Sequence, residues 1–264
     1  MSNVPANTAR RASFCECTAS SFVAGDTARL DFAWPGPAPR GAQFFMIKPR
    51  RTGVFLARPI SAAGWKPRDP SEPASGGTLS FLVARQGRGS REIMDLRPGE
   101  EAELFGPLGN CWMQMLDEPE NAPIALVSGG VGIAPLLVFA AELGNRPFDF
   151  YAGFRTGSYC LESLKPRSLV IATEDGTQGL KGRIPDFFTS AGYSAVFACG
   201  PEPMLKIVGD ACIAGEVPCF ISIEKRMACG VGACLGCTVK TTKGNRRCCK
   251  DGPVFSAEEY CFDR

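Results

Sequence analysis

Up to about residue 115 the apolar positions fall into short runs, FCECT (14–18), TARLDFAW (27–34), QFFMIK (43–48), TLSFLVA (78–84) and EAELFG (101–106). Gly/Pro-rich stretches such as PGPAPRG and PASGG separate them. Strand-length runs at this spacing predict a small antiparallel barrel or sandwich. After Asp117 the pattern changes. Residues 124–128 (IALVS) read as a fully buried strand, GGVGIA follows as a tight turn, and 135–143 has helical spacing with Pro in its first turn and Gly144 past its end. Strand-like runs recur over 148–152, 168–173 and 195–199, and a second helical stretch runs from 203 to about 213. Strands alternating with helices predict a doubly wound parallel sheet. From about Glu224 onward Gly and Cys dominate without a long periodic segment, so this tail is expected to be held by something other than a large apolar core. Residues 1 to about 12 are polar and aperiodic, and a frayed terminus is expected there.

A chain of 264 residues accommodates two or three such units. Lys+Arg 29 against Asp+Glu 27 leaves a net +2, which lacks the excess that steers a protein to nucleic acid or an anionic membrane. Histidine is absent, which excludes His-based triads, His-ligated haem, Rieske clusters and the common His-containing zinc sites. Any metal must sit on cysteine or carboxylate. There are 13 cysteines, five of them between Cys229 and Cys249, and the first residues contain no apolar signal-peptide core. A reducing, cytoplasmic setting is expected. The uncharged stretch 122–141 has the length of a membrane span, but Pro123, Gly129, Gly130, Gly132 and Pro135 interrupt it, so it reads as strand, turn and helix.

The most specific motif is Cys229, Cys234 and Cys237, a C-x4-C-x2-C run with a further cysteine at 248 or 249. A plant-type 2Fe-2S cluster draws three thiolates from one Gly-rich loop, here ACGVGACLGC, and a fourth from downstream. Glycines at 230, 232 and 236 let the backbone wrap closely and aim N–H groups at the sulfurs. A structural zinc site and ordinary buried cysteines are the alternatives. GGVGIAP, with Gly129, Gly130 and Gly132, stands between a strand and a helix, where a pyrophosphate can approach a helix N-terminus, although Pro135 replaces the third glycine of the usual fingerprint. Cys199, Gly200 and Pro201 close a later strand at the edge where doubly wound sheets bind ligands. Cys199 is thereby a candidate to lie beside a nicotinamide ring, against the plainer reading of a small buried hydrophobe.

In the β unit, Arg58-Pro59-Ile60-Ser61 offers a guanidinium and a hydroxyl, and Gly87-Arg88-Gly89-Ser90 a small loop; together they are expected to clasp a phosphate group. After the third strand of the α/β unit, ATEDGTQGLKG places Glu174 and Asp175 where a carboxylate would bond a free ribose hydroxyl and repel a 2′-phosphate, which favours NAD over NADP. Between Lys225 and Lys250 seven basic residues occur with no acidic one, fit to offset a cluster of formal charge about −2 or to form a docking face.

These motifs, in this order, resemble the electron-transfer subunits of NAD-dependent dihydroorotate dehydrogenases, a branch of the ferredoxin-reductase superfamily. The resemblance covers nearly the whole chain from about residue 14. EKRMACGVGACLGCTV and CKDGPVF are its most specific parts, supported by RPIS, GPLGN, GGVGIAP and CGPEPML. It implies a multi-domain α/β plus β fold. A flexible N-terminus (1–12) would precede an antiparallel FAD-binding β-barrel (13–115), a doubly wound parallel α/β NAD-binding domain (116–222) and a small C-terminal 2Fe-2S domain (223–264). It implies FAD contacts at Arg58, Pro59, Ile60, Ser61, Leu82, Val83, Ala84, Gly89 and Ser90, and cluster ligands Cys229, Cys234, Cys237 and Cys249, with Cys248 an accessory thiol. The chain departs from the family at Ser90, where Thr is common, at Val83 and Ala84, where a bulky residue and Arg are common, and at Cys111, which the pattern does not explain.

The function implied is electron transfer from the FMN of a catalytic subunit, through the cluster and FAD, to NAD in pyrimidine (UMP) biosynthesis. The partner would be that FMN-containing dihydroorotate dehydrogenase subunit, in a heterotetramer of two of each, with no nucleic acid and no membrane. The nearest rival is a related flavin/iron-sulfur reductase, of a ferredoxin:NADP oxidoreductase, sulfide dehydrogenase or oxygenase. A rival of a different class is a non-catalytic zinc-binding adaptor, which would be colourless where flavin and cluster are orange-brown.

Overall fold

In a computed structural model describing residues 11–72, 75–117 and 121–262, six strands close into an antiparallel barrel. They are β1 (Arg11–Ala24), β2 (Thr27–Trp34), β3 (Phe44–Pro49), β4 (Arg58–Pro67), β5 (Gly77–Ala84) and β6 (Glu101–Leu108), in the order β1-β2-β5-β4-β3-β6. Residues 1–10 of the expected frayed terminus lie outside the described residues, and β1 begins at Arg11 rather than after residue 12. β2 shows the alternation that drives closure: Ala28, Leu30, Phe32 and Trp34 are fully buried while Arg29 and Asp31 point outward. Inside, the Phe45 ring meets Trp34 and Phe81 edge to face at 5.1 and 5.5 Å, each pair adding about 0.5–1.5 kcal/mol beyond its buried area. β4 has no counterpart among the predicted runs, because Pro59, Gly64 and Pro67 break its apolar alternation. After β5 the chain enters helix α1 (Arg88–Met94), so GRGS is the start of a helix and not an open loop.

The α/β unit is a seven-stranded sheet. Its strands are β7 (Ile124–Gly129), β8 (Phe148–Phe154), β9 (Ser168–Thr173), β10 (Leu180–Lys181), β11 (Ala195–Cys199), β12 (Cys219–Ser222) and β15 (Val254–Ser256), in the order β10-β9-β8-β7-β11-β12-β15. Pairing is parallel except for β15, which runs antiparallel to β12. Helix α2 (Ile133–Glu142) follows β7 through one 3-10 turn (Gly130–Gly132), and α3 (Glu202–Ala214) follows β11. α2 begins two residues before Pro135. The first-turn N–H groups of a helix have no intrahelical partner, so Pro at the third position removes nothing. The stretch 122–141 thus folds as strand, turn and helix, and among the described residues no helix is long and apolar enough to cross a membrane.

The tail forms a hairpin, β13 (Thr238–Thr241) with β14 (Gly244–Arg247), then one helical turn α4 (Cys248–Asp251) and β15. Against the expectation that something other than a large apolar core holds it, the tail shares in one. Its Val239 and Phe255 share one buried cluster with Val196 and Ile221 of the sheet and Met46 and Leu108 of the barrel wall. A segment of some forty residues is too short to enclose a core of its own, so it completes its neighbours' core instead.

Candidate functional site

The pairing of β4 with β5 runs from Pro67↔Gly77 to Ala62↔Phe81, with an irregularity at Ala62/Gly64. Beyond it the strands part. Arg58–Ser61 pairs with β3 and Leu82–Ala84 with β2, so two strand halves face one another across a slot in the barrel wall. Their backbones border that slot, as is required where Val83 and Ala84 offer no large side chain. The Arg58 guanidinium crosses the end of the slot, anchored by Nη1 donating to the Leu56 carbonyl at 2.6 Å, and lies flat against Gly89. A Cβ on Gly89 would stand 2.4 Å from Arg58 Nε, so only glycine admits the side chain there.

Two details of the expected phosphate clasp are corrected. Arg58 and Ser61 are three residues apart in a strand, pair with Ile47 and Phe44, and so fall on opposite faces. The Ser90 hydroxyl is committed to its own loop: it accepts from the N–H groups of Gln86 and Gly87 at 2.8 and 3.0 Å and donates to the Gly87 carbonyl at 3.1 Å. Ser90 therefore shapes the start of α1, a stapling bond worth about 1 kcal/mol.

β5 packs against the Gly130–Gly132 turn, which brings the slot to the carboxyl edge of the α/β sheet. At that edge the strand order reverses between β7 and β11, the switch point where such sheets bind ligands. The two loops meet backbone to backbone: a Cβ on Gly132 would stand 2.3 Å from the Cys199 carbonyl oxygen. Ser128 of β7, Cys199 of β11 and Ser222 of β12 lie in register. Burial, reinforced by Glu224 and opposed by a hydrogen bond with Ser222, pushes the half-buried Cys199 thiol up to about 12. Gly200 and Pro201 lead from Cys199 into α3.

Glu174 and Asp175 follow β9, two strands from β7 and so about 10 Å along the edge. Both are exposed. The Asp175 carboxylate accepts from the Thr177 N–H and hydroxyl at 3.0 and 2.7 Å, which holds it below the usual carboxylate range. The nearby cations are otherwise disposed: Arg183 pairs with Asp186 at 3.7 Å, and the Lys181 stem packs over Gly176.

In the cysteine loop the free thiols stand as two neighbouring pairs, Cys229 beside Cys234 and Cys237 beside Cys249. Backbone N–H groups converge on the sulfurs: Val231 and Cys234 donate to Cys229 at 3.5 and 3.4 Å, Gly232 to Cys249 at 3.0 Å, and Cys249 to Cys237 at 3.4 Å. Burial raises the Cys229 thiol, but these donors outweigh it and bring it down to about 6. Burial and the Cys237 thiol push Cys249 up to about 12. Among the described residues no three ligand-type side chains gather tightly enough for a single ion. Four thiols in two neighbouring pairs would suit a group that needs four thiolates on more than one iron, so the donor set fits a 2Fe-2S cluster. Cys248 and Cys249 are not in the extended segment that their alternation presumed. They sit on α4, where successive side chains diverge by about 100°: Cys248 is buried with its thiol toward the Ile223 carbonyl, and Cys249 faces Gly232.

The loop rests on the barrel, with Met46 and Leu108 packed against Gly230. Its outer edge is open: Cys234 is exposed and Leu235 is 61% exposed. Of the seven basic residues, Lys225, Lys243 and Arg247 pair with Glu202, Glu259 and Asp251, while Arg226, Lys240, Arg246 and Lys250 are exposed. Sequence patterns did not point to Asn110, whose amide fastens residues 251–254 to the end of β6. Cys111, unexplained by the motifs, is buried at the start of a 3-10 turn (Trp112–Gln114) that seats the fully buried Trp112 against Phe139.

The family profile described as the iron-sulfur cluster binding domain of dihydroorotate dehydrogenase B matches residues 224–261. The dihydroorotate dehydrogenase B (NAD(+)) electron transfer subunit of Clostridium acetobutylicum is 39% identical over 226 residues, 85% of this chain and 87% of that protein. The corresponding subunit of Clostridium perfringens is 40% identical over 83% of this chain and 86% of its own length. Among solved structures, a chain of the NADH-dependent reduced ferredoxin-NADP oxidoreductase superposes with a TM-score of 0.80 at 27% identity, covering 95% of this chain and 91% of that one. Relatives at 39 and 40% identity cover more than four fifths of this chain and of their own length, and the chain belongs to the family of dihydroorotate dehydrogenase B (NAD(+)) electron transfer subunits.

Proposed function

We propose that the chain passes electrons from the FMN of a catalytic partner subunit to NAD, using FAD seated in the slot and a 2Fe-2S cluster on Cys229, Cys234, Cys237 and Cys249. The observation that carries this is the convergence of three sites. The slot borders the Gly130–Gly132 turn on one side. On the other, Pro59 pairs with Met46, which touches Gly230 of the cysteine loop. When bound, FAD exchanges a hydride with nicotinamide and single electrons with the cluster.

The chain's own residues bind and orient. Arg58 and the N–H groups beginning α1 hold the flavin's pyrophosphate, with Gly89 giving room for the guanidinium and Ser90 fixing the turn. Pro59, Ile60 and Ser61 line one side of the slot and Leu82, Val83 and Ala84 the other. Gly129, Gly130 and Gly132 with Cys199, Gly200 and Pro201 form the nicotinamide and pyrophosphate contacts, and Glu174 and Asp175 take the adenosine ribose. The exposed edge at Cys234 and Leu235, ringed by Arg226, Lys240, Arg246 and Lys250, faces the catalytic subunit, in a heterotetramer of two of each working in the cytoplasm.

Anaerobically purified chain is expected to hold about one FAD and about two iron atoms and to reduce artificial acceptors with NADH. It should not oxidise dihydroorotate until the catalytic subunit is added, because its sites are accounted for by FAD, NAD and the cluster. Zinc without flavin, or robust dihydroorotate turnover by the chain alone, would sink the proposal.

The carboxylates after β9 carry a second expected outcome. NADH is favoured over NADPH by about tenfold or more in kcat/KM, since Glu174 and Asp175 meet a 2′-phosphate as like charges. Replacing both with their amides should narrow that ratio. An intrinsic preference for NADPH would mean that Lys181 or Arg183 governs the pocket.

A further inference from the structure

Asn110 ends the turn after β6 and makes four hydrogen bonds to Asp251, Gly252 and Val254, which closely follow Cys249 in the tail. Its Nδ2 donates to the carbonyls of Asp251 and Val254 at 3.2 and 2.9 Å. Its Oδ1 accepts from the Val254 N–H at 2.9 Å, and its own N–H donates to the Gly252 carbonyl at 2.7 Å. Next to it Gly109 approaches so closely that a Cβ would stand 2.5 Å from Pro253 Cδ. One side chain thus satisfies both polar groups of Val254, the first residue of β15, across about 140 residues of sequence.

The geometry is that of a fixed joint between the flavin barrel and the arm bearing the fourth thiol. Cys249 reaches its place from α4, which is held upstream by the Cys237 carbonyl accepting the Cys248 N–H at 3.0 Å. Downstream, Asn110 holds it. We propose that Asn110 is a positioning residue for electron transfer: it fixes the Cys249 side of the cluster relative to the flavin slot without itself binding either cofactor. This rests on reading Cys229, Cys234, Cys237 and Cys249 as the cluster ligands. An amide is the side chain that suits the joint, since it alone offers a donor for two carbonyls and an acceptor for one N–H in a single planar group.

The test uses the full chain with its cofactors and two variants. Asn110→Ala removes the whole clamp. Asn110→Asp keeps the acceptor for Val254 but turns a carboxylate oxygen toward the Asp251 and Val254 carbonyls. Flavin and iron content, and the rate of flavin reduction by NADH, should match wild type in both. Hydrogen exchange at the Val254 amide should rise about tenfold in Asn110→Ala and less in Asn110→Asp. Bleaching of the cluster after flavin reduction should slow by about tenfold or more in the first variant and by a smaller factor in the second. Wild-type Val254 protection, wild-type cluster reduction, or loss of iron in both variants would overturn the role, the last because it would make Asn110 a cluster-retention residue. If wild-type protein itself holds no iron, the cluster reading fails instead, and the exchange measurement still reports on the joint.

Discussion

Cys249→Ser is expected to abolish or strongly deplete the cluster, while Cys248→Ser leaves iron content and the reduced-state paramagnetic signal near wild type. The two thiols are neighbours in sequence, yet α4 turns them apart. Cys249 lies against Gly232 and Cys237 and completes the second thiol pair, and a serine oxygen is a poor replacement for a soft thiolate on iron. Cys248 is sealed in the shared core with its thiol toward the Ile223 carbonyl and away from the other thiols, so a serine there costs about 1 kcal/mol of stability and leaves the cluster's ligands in place. FAD should stay bound in both variants, because its slot is built from strands whose pairing neither substitution touches. Iron analysis and electron paramagnetic resonance decide it. The opposite behaviour would shift the fourth ligand by one residue and leave the cluster itself in place.

Gly132→Ala is expected to cripple NADH-driven flavin reduction with FAD content intact. The added methyl would stand 2.3 Å from the Cys199 carbonyl oxygen and 2.6 Å from its carbonyl carbon. Both are backbone atoms, so no side chain can swing away, and the β7 and β11 loops must separate by about 1 Å to reach normal contact. Overpacking of this kind costs about 1–3 kcal/mol of stability. The larger effect is kinetic, since a displacement of that size at a hydride-transfer site can slow the step by about a hundredfold. Stopped-flow reduction with NADH measures it; a wild-type rate would mean that nicotinamide does not depend on the contact between these loops.

The elements legible in the amino-acid pattern are those in which one face or the whole segment is apolar over five or more residues. β2 alternates and closes the barrel; β7 opens on the apolar run Ile124–Val127, β8 is buried along its length with Asp149 its one charged residue, and both lie at the centre of the sheet. β10, β12 and β15 are two to four residues long, too short to carry a period, and their places are set by neighbours. The cysteine spacing was legible because ligand geometry constrains sequence locally. RPIS stood out in the sequence as a motif, but the slot it borders did not: the slot arises where β4 stops pairing with β5, a long-range property of register. Asn110 left no signal beyond its place in GPLGN, because a clamp across about 140 residues has no local period to betray it. The tail's share in the common core was hidden for the same reason, its apolar residues being sparse and meaningful only against Met46 and Ile221.

β15 has a bearing on how such proteins can be taken apart. It is the outermost strand of the parallel sheet, supplied by the cysteine-rich arm and laid against β12 through Phe220↔Ser256, Ile221↔Phe255 and Ser222↔Val254. The arm is therefore not a cassette that can be excised from one reductase and grafted onto another. Removing it would bare the hydrogen-bonding edge of β12 and invite pairing with a foreign strand, and a transplanted arm would have to match its recipient's strand register as well as carry the right cysteines.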